Sequence, residues 1–311
     1  MLSNKTIDFN KTFKPVLIAY AAVLVVSIIL TLIFGVNLDI NFKGGTRISY
    51  SYTGEISTEK VSQTIKGVTN ASVTVTQSTA LAGDTKTITL SFAGRDSVDA
   101  EVQQKLTEAL EKDFADNKPA LYDSTSVSPS VATAFFVKTM VAVLLAAILV
   151  VIYIGFRFRK IGGVSAAITA FVALILDVLI AFFTCTVFGL QIDSNFMAVV
   201  LTILGYSLND TIVIYDRVRE NRRLYPDKTT DELVNDSINS VKKRTIITTT
   251  TTIIAVFTIV VVSELHGLTS LRSFAIPMAT GLVSGTISSL FISGPLWVIW
   301  KNNTAKKAKK K

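Results

Sequence analysis

Two ionisable side chains lie inside apolar stretches of the sequence, where a charge is costly. Asp210 follows the run "FMAVVLTILGYSLN", and Arg244 precedes the run "TIITTTTTIIAV". An acid in hydrocarbon costs about 2.5–3.5 kcal/mol, so it normally faces other helices and serves a function. A carboxyl group beside a permanently charged guanidinium can alternate between a paired anion and a neutral acid. The two residue types therefore predict a protonation switch within a bundle of helices.

Polar neighbours accompany both residues at helical spacing. At about 100° per residue, Tyr206 and Ser207 share the face of Asp210. Thr248 follows Arg244 by one turn on the same face. The predicted proton relay is Asp210, Arg244 and Thr248, and the supporting polar face is Tyr206, Ser207, Asn209 and Asp177.

The residues alone leave several alternatives open. If the pair is only structural, Asp210 stays ionised beside Arg244 and nothing cycles. Asp177, within "ALILDVLIAF", has no obvious basic partner. It either joins helices as a hydrogen-bonded carboxyl or takes part in the relay. An acidic face with threonine hydroxyls also suits sodium, so protons and sodium both remain as coupling ions.

Six apolar runs carry these residues, and each is long enough to cross a bilayer core, which takes about 20 helical residues. They are predicted at 15–36, 134–156, 163–188, 194–215, 245–263 and 273–300. Half of the 311 residues are apolar, 17% are charged, and the mean hydropathy is +0.49. The composition excludes an ordinary soluble domain. The sequence predicts a polytopic α-helical membrane protein with six transmembrane helices, of which 1–36 holds the first as an anchor.

Basic residues predict the orientation of these helices. Of the 31 lysines and arginines, 20 lie in the segments 1–15, 157–160, 216–244 and 301–311. The positive-inside rule therefore places both termini, the loop 216–244 and the basic tail 301–311 in the cytosol, and 37–132 outside. Because the net charge of +8 is spread over these segments, we expect anionic membrane lipid and not nucleic acid as its partner.

The external segment alternates between strand and helix periodicity. "TRISYSY", "ASVTVTQS", "TKTITLSF" and "LYDSTSVS" predict strands, and two amphipathic helices lie between them. The order βαββαβ predicts a ferredoxin-like α+β domain between transmembrane helices 1 and 2. No convergent acids, histidines or cysteines occur there. With one cysteine, Cys185, and one histidine, His266, in the chain, we predict no metal site and no catalytic site.

Glycines mark two further features. Gly44 and Gly45 predict a turn or hinge between the first transmembrane helix and the first strand. Gly281 and Gly285 recur four residues apart in the last run of 133–300, where they predict a seam of close helix packing.

Three motifs resemble the SecF family, the small membrane subunits of the bacterial SecD/SecF accessory translocase within the RND superfamily. They are "GYSLNDTIVIYDRVREN" at 205–221, "KRTIITTTTT" at 243–252 and "INFKGGT" at 40–46. One departure stands in the third motif. The family usually has an acid directly before the phenylalanine, whereas this chain has Asn41 there and Asp39 two residues earlier.

The resemblance implies a function, partners and residue roles. It implies that the chain, together with SecD, uses the proton motive force to assist polypeptide export through the SecY/SecE/SecG channel of the bacterial cytoplasmic membrane. Asp210 would carry the proton, with Arg244 and Thr248 as its partners. It implies no enzyme activity and no cofactor besides the coupling ion, and an external domain that binds the emerging unfolded polypeptide. Two alternatives remain, an RND-like exporter of small amphiphiles and a non-conducting scaffold of the translocon.

Overall fold

The computed structural model describes residues 6–69, 73–79, 86–94, 98–265 and 269–309. Within these ranges six helices are long and apolar enough to cross a membrane, which confirms the prediction of six spans. They lie at Phe9–Phe34, Pro129–Arg157, Gly163–Val187, Ser194–Leu224, Thr230–Leu265 and Leu271–Lys307. We label the first five α1, α5, α6, α7 and α8. The sixth comprises α9 (Thr269–Ser288), a π-helical turn at Ser289–Ser293 and α10 (Gly294–Lys309).

The segment 216–244, expected to form a loop, is instead mostly a helical hairpin. Helix α7 continues to Leu224 and α8 begins at Thr230, so only 225–229 connects them. In the sequence, charged residues interrupt the apolar stripe of each helix. Val218 and Val234 on these stripes are nevertheless buried. Asn221 Nδ2 also donates to Ser237 Oγ at 2.8 Å across the hairpin. This packing explains why the helices extend beyond the apolar runs.

Both described ends of the chain meet the start of α8. The backbone N–H of Phe9 donates to Asn235 Oδ1 at 2.9 Å, and Asn302 Nδ2 donates to Asp231 Oδ2 at 2.8 Å. The two ends therefore lie on one side of the helix bundle, as an even number of spans requires. The assignment of that side to the cytosol stays a prediction.

The interior of the bundle is formed mainly by α6, α7 and α9. In the most apolar 18-residue stretch of α6 and of α7, half of the residues are buried, whereas none is buried in the corresponding stretch of α5. Alanines and serines at the contacts, among them Ala166, Ala170 and Ser207, let these helices approach closely. The polar residues of the site are therefore held mostly between α6, α7 and α9.

The segment between α1 and α5 contains a four-stranded antiparallel sheet. After the short helix α2 (Ile40–Lys43) the elements are β1 (Gly45–Tyr52), α3 (Thr58–Thr69), β2 (Thr74–Thr79), β3 (Lys86–Ala93), α4 (Ala100–Asp113) and β4 (Ala120–Val127). The strand order is β2-β3-β1-β4. Its core joins the inner face of the sheet to both helices, with Ile48, Tyr50, Leu90, Ile65 and Leu106 fully buried.

Gly44 and Gly45 form the turn into β1. Their φ angles are +78° and +127°, which L side chains rarely adopt. A Cβ atom at Gly45 would lie 2.0 Å from the carbonyl oxygen of Phe92, and one at Gly44 would lie 2.9 Å from Cα of Pro129. Glycine is therefore required here both by conformation and by the close approach of β3 and α5.

Candidate functional site

Asp210 lies on α7, at a position with 3% exposure. Its Oδ2 atom has no hydrogen-bond partner among the described residues. A buried polar atom without a partner is costly, because its lost hydration is not replaced. The carboxyl group is thus held in a state that a proton or a cation would stabilise.

Arg244 lies on α8, directly before its apolar part. Its guanidinium lies within electrostatic range of Asp210, but no salt bridge joins the two side chains in the described part of the chain. Arg244 is exposed and lines a cleft that also contains Val213, Arg217 and Ser240. The sequence predicts that the two groups lie near each other, and Arg244 does influence Asp210 electrostatically. The close ion pair that the sequence left open is not formed.

The hydroxyl group of Thr248 forms its hydrogen bond within its own helix. Its Oγ1 donates to the carbonyl oxygen of Arg244 at 2.9 Å, a common arrangement for threonine in membrane helices. Its carbonyl oxygen accepts a hydrogen bond from Tyr206 Oη at 3.0 Å, and Tyr206 also contacts Thr252 Oγ1 at 2.8 Å. Tyr206 therefore joins α7 to α8. Thr248 contributes its backbone to this contact, while its hydroxyl is bonded within α8.

The remaining residues of the predicted polar face point in different directions. Ser207 is buried toward α6 and α9, whereas Asn209 is exposed. Asn209 continues an exposed stripe of small and polar residues along α7, which comprises Ala198, Thr202, Gly205 and Asn209. A Cβ atom built at Gly205 would have no atom within 4 Å. This stripe borders Asp210 on the outer surface of the helix bundle.

Asp177 forms the most densely bonded polar group of the bundle interior. It is fully buried on α6, and three serine hydroxyls donate to it: Ser284 to Oδ1 at 2.7 Å, and Ser207 and Ser288 to Oδ2 at 2.7 and 2.9 Å. Tyr20 on α1 lies 3.0 Å from Ser284 Oγ. One carboxylate therefore links α6, α7 and α9 directly, and α1 through one hydroxyl.

A series of hydroxyl groups continues from this centre toward the end of the bundle that holds the chain ends. Thr211 lies 3.1 Å from Ser289, and Tyr215 Oη lies 2.8 Å from Thr169 and 2.9 Å from Ser293. Ser289 and Ser293 belong to the π-helical turn, which precedes Pro295, a residue with no N–H to donate. Single π-helical turns are frequent at functional sites.

The glycine seam of α9 faces other helices of the same chain. A Cβ atom at Gly281 would lie 2.2 Å from Ile203 Cδ1, and one at Gly285 would lie 3.1 Å from Ser207 Cβ. The seam is thus an internal contact between α9 and α7.

A second polar cluster lies where the external domain meets the helix bundle, and the sequence did not predict it. Asp39 is fully buried and accepts hydrogen bonds from Arg47, from Gln191 at 3.1 Å and from Asn41 at 2.6 Å. Burial raises the pKa of the neighbouring Asp193, which caps α7. The acid in "LDINFKGG" and the arginine eight residues later were the available signal.

The chain backbone reinforces this junction. The N–H of Asp39 donates to the carbonyl of Ile192 at 3.0 Å, and the N–H of Ile192 donates to the carbonyl of Asn37 at 2.8 Å. The exit of α1 is therefore bonded to the connection between α6 and α7. Asn41, which replaces the acid usual in related motifs, serves here as a donor to Asp39.

We expect Arg47→Gln to weaken this junction. Arg47 is about one-third exposed, so the loss should be moderate, about 1 kcal/mol in the free energy of unfolding. Two measurements check this. One is chemical unfolding of the full chain in detergent, and the other is the rate of protease cleavage within 37–45. Lys105→Gln removes a fully exposed pair with Glu101 and should change neither readout. Equal behaviour of the two variants would argue against a structural role of Arg47.

The described residues contain no group of three or more histidine, cysteine or acidic side chains that could hold a metal ion. Cys185 is buried and free. His266 lies outside the described residues.

The sequence and the fold were compared with known proteins. Residues 106–303 match the family described as "Protein export membrane protein SecD/SecF, C-terminal". The chain is 34% identical to protein translocase subunit SecDF of Bacillus subtilis, covering 96% of this chain but 39% of that protein. It is 32% identical to protein translocase subunit SecF of Alicyclobacillus acidocaldarius, covering 92% and 90% of the two chains.

The fold is similar to that of a solved SecDF. The crystal structure of the translocon-associated membrane protein SecDF from Thermus thermophilus superimposes with a TM-score of 0.79 at 27% identity. The match covers 97% of this chain and 40% of that one. This chain thus corresponds to less than half of the SecDF proteins and to nearly the whole of its SecF relative.

Proposed function

The chain belongs to the SecD/SecF family of protein export membrane proteins, and from this premise we propose that it is a translocase subunit that couples polypeptide export to proton flow across the bacterial cytoplasmic membrane. The observation that carries the proposal is the buried Asp210, whose Oδ2 has no hydrogen-bond partner within the described ranges although Arg244 is near. In a purely structural ion pair, the carboxylate and the guanidinium would instead be in direct contact. An open pair of this kind can change its charge state as a proton arrives or leaves.

The energy available to such a step is sufficient. Each proton that descends a membrane potential of 100 mV releases about 2.3 kcal/mol. A shift between two packed arrangements of α7 and α8 requires differences of this order. Tyr206, which joins the two helices next to Asp210, is the contact through which a change at the carboxyl group would reach α8.

We propose SecD as the partner that covers the exposed stripe of α7. The family resemblance implies twelve spans for a complete RND-type unit, and the described part of this chain contains six. The stripe of Ala198, Thr202, Gly205 and Asn209 is rich in small residues, which favour helix contacts in membranes. A partner seated there would enclose the side of α7 next to Asp210.

Gly205→Leu tests this partner. A Cβ atom at this exposed position has no atom within 4 Å in the described part of the chain, so we expect the protein to fold normally and to lose about tenfold or more of its affinity for SecD. The measurement is recovery of SecD with the tagged full chain from solubilised membranes. Gly155→Leu is the matched control, since a Cβ atom at that position in α5 likewise has no atom within 4 Å among the described residues. Full recovery of SecD with both variants would place the partner elsewhere.

The other proposed partners are the SecY/SecE/SecG channel and the emerging unfolded polypeptide. We take the external domain as ferredoxin-like, supported by its element order and by the strand order β2-β3-β1-β4. Its outer strand β4 is exposed along almost its whole length, which leaves an edge for contacts with an extended chain. With this domain on the outer side of the membrane, both termini are cytosolic.

Secretion into membrane vesicles tests the function. Vesicles that contain this chain, SecD and the channel should complete export faster when a proton gradient is present. A sodium gradient of equal size, applied without a proton gradient, separates the two coupling ions. Export that is insensitive to both gradients would leave a scaffold role as the better explanation.

A further inference from the structure

At the end of the bundle that holds both described chain ends, a small cleft is lined by basic residues. Its volume is ≈ 410 Å³. We call it the link cleft, because the link between α5 and α6 forms one wall. Its lining residues are Arg159, Lys160, Ile161, Gly162, Val218, Arg222, Thr230, Leu233, Trp297 and Lys301.

Four of these residues are cationic and none is acidic. Asp231, which follows Thr230, does not line the cleft and accepts a hydrogen bond from Asn302. No salt bridge to any of the four cations occurs in the described part of the chain. Lys301 Nζ lies 5.6 Å from the centre of the Trp297 ring, and Arg222 Nη1 donates to the carbonyl of Lys228 at 3.3 Å. The positive charge of the cleft is therefore uncompensated.

The neighbouring cleft provides an internal comparison. It is larger, ≈ 1130 Å³, and shares Lys160 and Arg222 with the link cleft. It also contains acids, and these are paired: Asp216 lies 2.9 Å from Arg219, and Glu220 lies 2.7 Å from Arg217. Of these two clefts, only the link cleft has cations without any acid in its lining. An anion would consequently gain more in the link cleft.

The position of the link cleft selects the kind of anion. The apolar helix α5 ends at Arg157 and α6 begins at Gly163, so the link between them lies where the chain leaves and re-enters the bilayer core. Lipid phosphates occupy this depth. The floor of the cleft is apolar and buried, with Ile161, Val218 and Trp297 each less than 9% exposed. Such a floor suits the glycerol and the first methylenes of a lipid.

We propose that the link cleft binds the phosphate headgroup of an anionic phospholipid. Basic pockets between transmembrane helices are suited to such headgroups. The charged side chains of Arg159, Lys160 and Lys301 surround the phosphate, and the floor contacts the glycerol. The proposal does not depend on proton coupling, because none of these residues belongs to the Asp210 site.

The test is native mass spectrometry of the full chain in detergent, titrated with phosphatidylglycerol or with phosphatidylcholine. The wild-type protein should bind phosphatidylglycerol in preference. The double variant Arg159→Gln, Lys160→Gln should lose about 30-fold in affinity for phosphatidylglycerol, since each basic residue contributes about fivefold at an anionic surface. Both residues are exposed, so the fold should be retained.

Two controls separate this site from general charge attraction. Lys306→Gln, Lys307→Gln removes the same charge from exposed positions of the C-terminal helix that lie outside the link cleft, and should keep the preference. Lys301→Gln, which removes a third cation of the cleft, should also reduce the preference, by about fivefold for one charge. Equal losses in the tail and cleft variants would overturn the proposal. Displacement of phosphatidylglycerol by inorganic phosphate at similar concentration would also overturn it, because the site would then be one for free anions.

Discussion

Asp210→Asn is expected to leave the protein folded and to reduce secretion to the level measured without a proton gradient. Asparagine is nearly isosteric with aspartate but cannot take up or release a proton. Asp210 Oδ2 makes no hydrogen bond in the described part of the chain, so the substitution breaks no hydrogen bond at this atom. The effect should be large, because a step driven by about 2.3 kcal/mol per proton loses that contribution entirely. The measurement is gradient-driven export in membrane vesicles.

The matched control is Asp216→Asn, the same substitution farther along α7. Asp216 is paired with Arg157 at 3.1 Å and with Arg219 at 2.9 Å at the end of the bundle, where solvent screens the charges. We expect this variant to respond to the gradient as the wild type does. If Asp210→Asn also kept its response, Asp210 would not be the proton carrier, whereas failure of both variants would indicate a general charge effect of α7.

Asp177→Ala is expected to cause the largest loss of stability among single substitutions in the bundle. The change removes the acceptor of three buried serine hydroxyls and leaves a cavity between α6, α7 and α9. Each hydrogen bond contributes about 0.6 kcal/mol in a membrane protein. With the cavity added, the free energy of unfolding should fall by about 3–4 kcal/mol. Reversible unfolding of the full chain in mixed micelles measures this change.

Two further variants separate the carboxyl group from the packing. Thr202→Ala on α7 removes a hydroxyl that bonds only its own helix at Ala198 and is exposed, so its stability should match the wild type. Asp177→Asn keeps the volume and one acceptor oxygen, and should lose less than Asp177→Ala. If Asp177→Asn were fully stable yet inactive in export, the purely structural role of Asp177 would be wrong. A role in the proton relay would then be supported.

The sequence predicts the helices and strands well, because their periodicities and hydropathy are local. All six apolar runs became helices, and only their ends moved, since apolar stripes on α7 and α8 continue beneath charged residues such as Arg217. The short helix α2 was not predicted. The residues that flank it, Asp39 and Gly44, pack against Ile192 and Pro129, which lie far away in the sequence.

The candidate site is only partly accessible to such reasoning. The depth of Asp210 and Arg244 follows from helical rise, and the structure brings them near each other. The partners of Asp177 come from α7 and α9, so no pattern within one run identifies them. The direction of Ser207 and Asn209 likewise depends on which neighbouring helix packs against each side of α7. Side-chain partners in a bundle are set by tertiary packing.

The junction at Asp39 gives the external domain a pivot. Strand β1 starts six residues beyond Asp39 and is eight residues long, which corresponds to an arm of about 26 Å. Two backbone bonds join Asn37 and Asp39 to Ile192, two residues before α7 begins, and the Arg47 contact joins β1 to Asp39. A tilt of about 10° of α7 would therefore move the far end of the arm by about 4–5 Å. A tilt too small to open the bundle would thus displace the external domain by more than the length of one residue in an extended polypeptide.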